Sequence, residues 1–147
     1  MTNVAPIRQQ SPLTGSVLLV EEDTELAPVL HGLLAREGYA VIRAADGRQA
    51  EQLIHRLPPP DVVLLETFLP YRGGFELLRR IRELPAWDGV RVLMLSNNAS
   101  GADAARARAG GAEACLVKPL CPESLLLLIA RCEWGGRALP RAARGKA

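Results

Sequence analysis

Residues 61–84 read DVVLLETFLPYRGGFELLRRIREL. The segment opens on a short apolar run with adjacent β-branched residues, 61–65, which predicts a buried strand. A loop holding Pro70, Gly73 and Gly74 follows. Then 75–84 repeats apolar side chains at Phe75, Leu78 and Ile81, the spacing of one helical face. Strand, loop and helix in this order make one βα unit. The prolines at 58–60 stop the helix that precedes it. One acid, Glu66, stands directly after the strand.

The same unit recurs on both sides. SVLLV (16–20) predicts a first strand, and Asp23 or Thr24 can cap the helix after it. That helix carries Leu26, Val29, Leu30, Leu33 and Leu34 at helical spacing and stops at Gly38. YAVIRA (39–44) is a second strand, followed by a helix over 46–56 with Ala50, Leu53 and Ile54 on one face. VRVLML (90–95) is a fourth, followed by an alanine-rich helix, 100–109, that ends at Gly110 and Gly111. EACLV (113–117) is a fifth, and the last helix, 122–134, has Pro122 in its first turn.

Five strands, each followed by a helix, imply right-handed crossovers and a parallel sheet covered on both faces. The strands read as continuous apolar runs, as burial on both faces requires. The expected fold class is α/β: a flavodoxin-like, doubly wound five-stranded parallel sheet, order 2-1-3-4-5, with helices on both faces. Residues 1–15 are expected to be a flexible lead, 16–134 the domain, and 135–147 a basic flexible tail with Arg137, Arg141, Arg144 and Lys146.

Composition narrows the function classes. At 147 residues there is room for one domain with a proper core and little for a second. A formal net charge of +2 is too small to argue for nucleic acid or a membrane surface as partner. No apolar run is long enough to span a bilayer, and no secretion signal opens the chain. Cys115, Cys121 and Cys132 are odd in number and without CxxC spacing, which argues against a disulfide framework or a zinc site. Reduced thiols in a cytoplasmic protein are the expectation. His31 and His55 fall on helix surfaces, and Trp87 and Trp134 are explained by packing.

The chemistry gathers at the ends of the strands. Val20 is followed by Glu21, Glu22 and Asp23, Leu65 by Glu66, Leu95 by Ser96 and Val117 by Lys118. In a parallel sheet all carboxyl ends lie on one edge, where ligands bind. Three glutamates and one lysine give that edge a formal charge near −2, which a hard divalent cation, most plausibly Mg²⁺, would offset. A lysine and a hydroxyl beside such a cation suit a phosphoryl group.

With these segments the chain resembles the receiver domain of two-component response regulators, in its chemotaxis-regulator-like form, from about Ser16 to Trp134. VLLVEEDTEL resembles the first strand with its acidic pair, here Glu21 and Glu22. PDVVLLETFLPYRGGFELLRRIR resembles the phosphoacceptor strand, with Glu66 at the acceptor position. VLMLSNN places Ser96 where the family has a threonine or serine, and CLVKPL places Lys118 and Pro119 on a lysine–proline step that is usually cis. The resemblance implies a signalling protein rather than an enzyme. It implies an Mg²⁺ site built from Glu21, Glu22, Glu66 and the Phe68 carbonyl, weak in this chain. It also implies a phosphoryl site and switch at Ser96, Lys118 and Cys115, the last where the family carries an aromatic.

Two departures bear on function. The family's acceptor is an aspartate; Glu66 adds one methylene and moves the carboxylate outward by roughly 1.5 Å. Phosphoryl transfer depends on positioning, where about 1 Å of error can cost about a hundredfold. Cys115 is too small to swing between buried and exposed states with much consequence. An atypical receiver that signals through protein contacts is therefore expected, its partner a sensor histidine kinase or a downstream signalling protein. A working receiver, phosphorylated on Glu66 or a neighbouring acid, is the alternative. A flavodoxin-like small enzyme or nucleotide binder is remoter, because no GxGxxG or P-loop pattern follows the first strand. No DNA-binding segment follows residue 134, so output is expected through a protein. Leu125 to Ile129 are five consecutive apolar positions, of which roughly two must point outward. They suggest a homodimer or a constitutive partner contact through the last two helices and strand five.

Overall fold

The structure, a computed structural model, describes residues 15–138, with side chains through Arg131. The expectations for the lead before Gly15, the tail after Ala138, Cys132 and the Trp134 side chain lie outside the described residues. The chain runs β1 (Gly15–Val20), α1 (Leu26–Arg36), β2 (Tyr39–Ala44), α2 (Gly47–Arg56), β3 (Val62–Glu66), α3 (Gly74–Glu83), β4 (Arg91–Ser96), α4 (Ala102–Ala109), β5 (Ala114–Val117) and α5 (Pro122–Ala138). The five strands form one sheet in the order β2-β1-β3-β4-β5, and every pairing is parallel. That is the flavodoxin-like arrangement.

Side chains alternate across the sheet, and the two faces carry separate cores. Leu18, Val20, Val63, Leu65, Val92 and Met94 pack under α2, α3 and α4. Val17, Leu19, Val62, Leu64, Leu93 and Leu95 pack under α1 and α5 through Ala27, Leu30, Leu34, Leu125 and Ile129. Central β3 is buried over its whole length. The edge strands are not: Ile42 on β2 and Val117 on β5 are exposed, so the expectation of burial on both faces holds for β1, β3 and β4 only. An edge strand has one neighbour, and its outer flank meets solvent.

Local signals start and stop the helices as their chemistry requires. Asp23 accepts from the backbone N–H of Glu25 at 2.8 Å and of Leu26 at 3.2 Å, satisfying donors at the start of α1. Asp46 caps α2 by accepting from the Gln49 N–H at 2.9 Å. Gly38, after α1, has φ 97°, a left-handed conformation that costs glycine nothing. Trp87 is buried in a short 3₁₀ turn, Pro85–Trp87, where it packs into the core. The last helix continues past Trp134 to Ala138, so Gly135 does not end it.

Of the five apolar positions in α5, Leu125 and Ile129 are buried, Leu126 and Leu128 are half-buried against the core, and Leu127 is exposed. One leucine points fully outward, where two were expected. Glycine lets α3 start against the strand it follows. A Cβ on Gly74 would lie 2.8 Å from the Thr67 Cα and closer still to the Glu66 carbonyl oxygen. Gly47 is pressed in the same way against the backbone of Arg72.

Candidate functional site

The carboxyl edge of the sheet brings three of the expected groups together. Glu21 leaves β1 with its side chain turned inward, and Glu66 ends β3 with its carboxylate pointing to the same place. Both are buried, at 0% and 2% exposure. Lys118, one residue past β5, reaches across and donates from Nζ to Glu21 Oε1 at 3.0 Å and to Glu66 Oε1 in a shorter bond. Glu21 is satisfied on its other oxygen by the Asp23 N–H at 3.1 Å. Its carbonyl accepts Arg43 Nε and Nη2 at 3.1 and 2.8 Å. The peptide bond from Lys118 to Pro119 is cis.

The other expected residues stand apart from this trio. Glu22, next to Glu21 in the loop after β1, is exposed. Phe68 is 79% exposed. Ser96 is fully buried at the end of β4, yet its hydroxyl donates to Asp103 Oδ2 at 2.7 Å and accepts from the Asn98 N–H at 2.9 Å. Cys115 is half-buried against the core under α2, α3 and α4. Burial, followed by the charge of Asp103, pushes its thiol up, away from the thiolate a nucleophile needs. The buried cluster therefore holds two carboxylates and one ammonium, where the sequence suggested three and one.

Sequence reading missed two residues. Asp103 lay inside an alanine-rich helix; an acid in a first turn directly after a glycine was its only mark. Arg43 sat inside a strand and gave no signal.

Electrostatics follow from burial. Glu66 is pushed up from 4.5 to about 7, by loss of water first and then by Glu21, against the pull of Lys118. For Lys118, burial pulls the ammonium down, but the hydrogen bonds and charges of Glu66 and Glu21 outweigh it and leave it above its ordinary value. Near neutral pH the trio thus exchanges one proton. Folding stability depends on that proton. The folded state holds it more tightly than the unfolded chain, so the contribution is fully present below 4.5 and is lost as pH rises through about 7. We expect a fall on the order of 2 kcal/mol across that window, a slope that Glu66→Gln removes. Urea melts of both proteins between about pH 5 and about pH 8 check it. Equal slopes would place the titration elsewhere.

A parallel five-stranded sheet with an inward acid after β1, an acid ending β3, a buried hydroxyl ending β4 and a lysine–cis-proline step after β5 is a specific constellation. The family described as the response regulator receiver domain matches residues 17–130. The chain belongs to that family.

This receiver is 32% identical over 109 residues to the uncharacterized transcriptional regulatory protein YrkP of Bacillus subtilis, covering 74% of this chain and 45% of that one. It is 33% identical over 110 residues to the DNA-binding response regulator MtrA of Mycobacterium leprae, covering 75% and 47%. The chain thus spans about half the length of the curated relatives it matches. Among solved structures, the chemotaxis response regulator CheY4 of Vibrio cholerae is similar at TM-score 0.74 and 31% identity, over 80% of this chain and 97% of that one. The receiver domain of the sensor histidine kinase PA1611 of Pseudomonas aeruginosa, with a magnesium ion in its active site cleft, matches at TM-score 0.74 and 28% identity, over 81% and 97%. The receiver is a signalling module of two-component systems. Among the described residues no helix is long and apolar enough to cross a membrane.

Proposed function

We propose that this chain is an atypical receiver, in which Glu66 stays unphosphorylated and signalling runs through protein contacts. One observation carries the reading: Lys118 is paired with both buried carboxylates, and the Glu66 side chain is only 3% exposed. A phosphoacceptor must meet its donor in line. Here the carboxylate faces inward onto an ammonium, and the added methylene places it away from the position an aspartate would take. The Glu66–Lys118 pair holds a fixed arrangement at the sheet edge that needs no transferred phosphoryl group.

An open cleft lined by Thr67, Phe68, Asn97, Asn98 and Asp103 lies along the same edge and favours a second reading, a working receiver that a histidine kinase phosphorylates. The two readings separate by chemistry. With acetyl phosphate and Mg²⁺, intact-mass measurement is expected to show labelling of Glu66→Asp at least about a hundredfold faster than of the parent chain. Equal labelling of both, removed in each by Glu66→Ala, would establish the second reading.

Magnesium is the cation these carboxylates would take, and Glu22, Glu66 and the Phe68 carbonyl are the groups that would hold it. Glu21 and Glu66 each commit an oxygen to Lys118, and no three acidic, His or Cys side chains among the described residues gather around a cation position. The donor set is thin, and we propose binding in the millimolar range, about 4 kcal/mol.

The proposed partners are a sensor histidine kinase or a downstream signalling protein, met through α4, β5 and α5. Among the described residues, Leu127 and Val117 are the exposed large apolar side chains of α5 and β5. Leu127→Glu is expected to abolish self-association or partner binding through this surface, read by light scattering at high micromolar concentration. Unchanged mass and unchanged partner affinity would make Leu127 an ordinary surface residue.

A further inference from the structure

We propose that Asp103 is the positioning residue of the switch: its carboxylate holds the Ser96 hydroxyl and ties the carboxyl edge of the sheet to the first turn of α4. The inference rests on the reading of Ser96 as a group of the phosphoryl site.

Ser96 ends β4, which lies between β3, the strand of Glu66, and β5, the strand that precedes Lys118. Thr67 N–H, one residue past Glu66, donates to the Leu95 carbonyl at 2.9 Å, and the Lys118 N–H donates to the Ser96 carbonyl at 2.8 Å. A hydroxyl in that place has two directions open to it, toward Glu66 and Lys118 or toward α4. Its donated bond goes to Asp103 at 2.7 Å, the length of a charge-assisted bond, and the Asn98 N–H fills an acceptor site at 2.9 Å. Neither partner belongs to the trio.

At the start of α4 the other side-chain bond is local: the Ser100 hydroxyl accepts from the Ala102 N–H at 3.2 Å. Gly101, the residue before the helix, is left-handed at φ 92° and supplies no side-chain cap. Of the helix's residues only Ala107 is buried, since alanines bring little apolar area to the sheet. A helix packed so lightly is one whose position a single part-buried polar bond to the sheet can decide. Releasing Ser96 therefore frees α4, and moving α4 releases Ser96. The sheet edge and the α4 surface become two ends of one two-state element.

Hydrogen exchange tests this directly. Asp103→Ala and Ser96→Ala are each expected to speed exchange of the α4 amides about tenfold, the lower end for a bond to a charged acceptor. The double variant should add nothing further, and Asp103→Asn, which keeps an acceptor oxygen, should recover part of the protection. Additive effects, or unchanged α4 protection in Asp103→Ala, would overturn the proposal. A second measurement separates positioning from plain loosening. In the Glu66→Asp background, Asp103→Ala should raise acetyl phosphate labelling about tenfold, a part of what one placed donor is worth, and Ser96→Ala should lower it. No rise in a Glu66→Asp protein that does accept phosphate also overturns the proposal. A Glu66→Asp protein that accepts none would count against the acceptor reading alone, and the exchange result then decides.

Discussion

Lys118→Met is expected to lower folding stability by about 3 kcal/mol at neutral pH, one of the two largest effects of single substitutions in this receiver. Among the described residues the ammonium is the hydrogen-bond donor to Glu66 Oε1 and one of two donors to the Glu21 carboxylate. Removing it leaves two buried acids facing each other with no counter-charge. Breaking a buried pair from one side costs more than the pair is worth, because the desolvated partner remains. The loss should shrink at lower pH, where Glu66 protonates, and when Glu66→Gln is combined with Lys118→Met. Mg²⁺ should bind Lys118→Met more tightly than the parent chain, since the cation no longer competes with the lysine. Denaturant melts with and without Mg²⁺ measure both effects. A Lys118→Met protein as stable as the parent would mean that the two carboxylates already carry a shared proton and need no ammonium.

Gly74→Ala should destabilise the domain by about 3 kcal/mol, the upper part of the overpacking range. The added methyl would fall inside the contact distance of the Glu66 carbonyl oxygen and the Thr67 Cα. Both are backbone, so neither can rotate away as a flexible side chain would. The Gly74 N–H also donates to the Thr67 carbonyl at 3.0 Å, and relieving the clash breaks that bond or displaces Glu66. Gly73→Ala is the control, because nothing lies within 4 Å of a Cβ there. A drop in denaturation midpoint for Gly74→Ala with little change for Gly73→Ala is the expected pattern. Matching midpoints would show that α3 can shift from β3 at small cost.

Much of this receiver was legible from residue patterns alone. Runs of apolar residues 16–20, 61–65 and 90–95 are too short for helices and are bounded by turn formers, so they read as buried strands with no knowledge of the fold. Glu66 could be placed at the sheet edge because a strand's end marks which side of the molecule its next residue occupies. Asp23 announced a helix start, since an acid there meets unpaired N–H groups within three residues. All of these are local, and local geometry repeats with a fixed period.

The pairing at the site was not local. Lys118 lies 97 positions from Glu21 and 52 from Glu66, and whether its ammonium meets both depends on the stagger of β1, β3 and β5 and the reach of three long side chains. Glu21 and Glu22 look alike in sequence, yet one is fully buried and the other exposed, because the path of the loop after β1 turns only the first toward Lys118. The expected strand order puts β2 and β5 at the edges, and the structure shows how far Ile42 and Val117 are exposed there. The direction of the Ser96 hydroxyl was decided by Asp103, seven residues on, across a turn whose shape Gly101 sets. The sequence determined which polar groups arrive at the edge. Tertiary packing determined which oxygen faces which proton, because hydrogen bonds are made or lost over a fraction of an ångström that no residue pattern encodes.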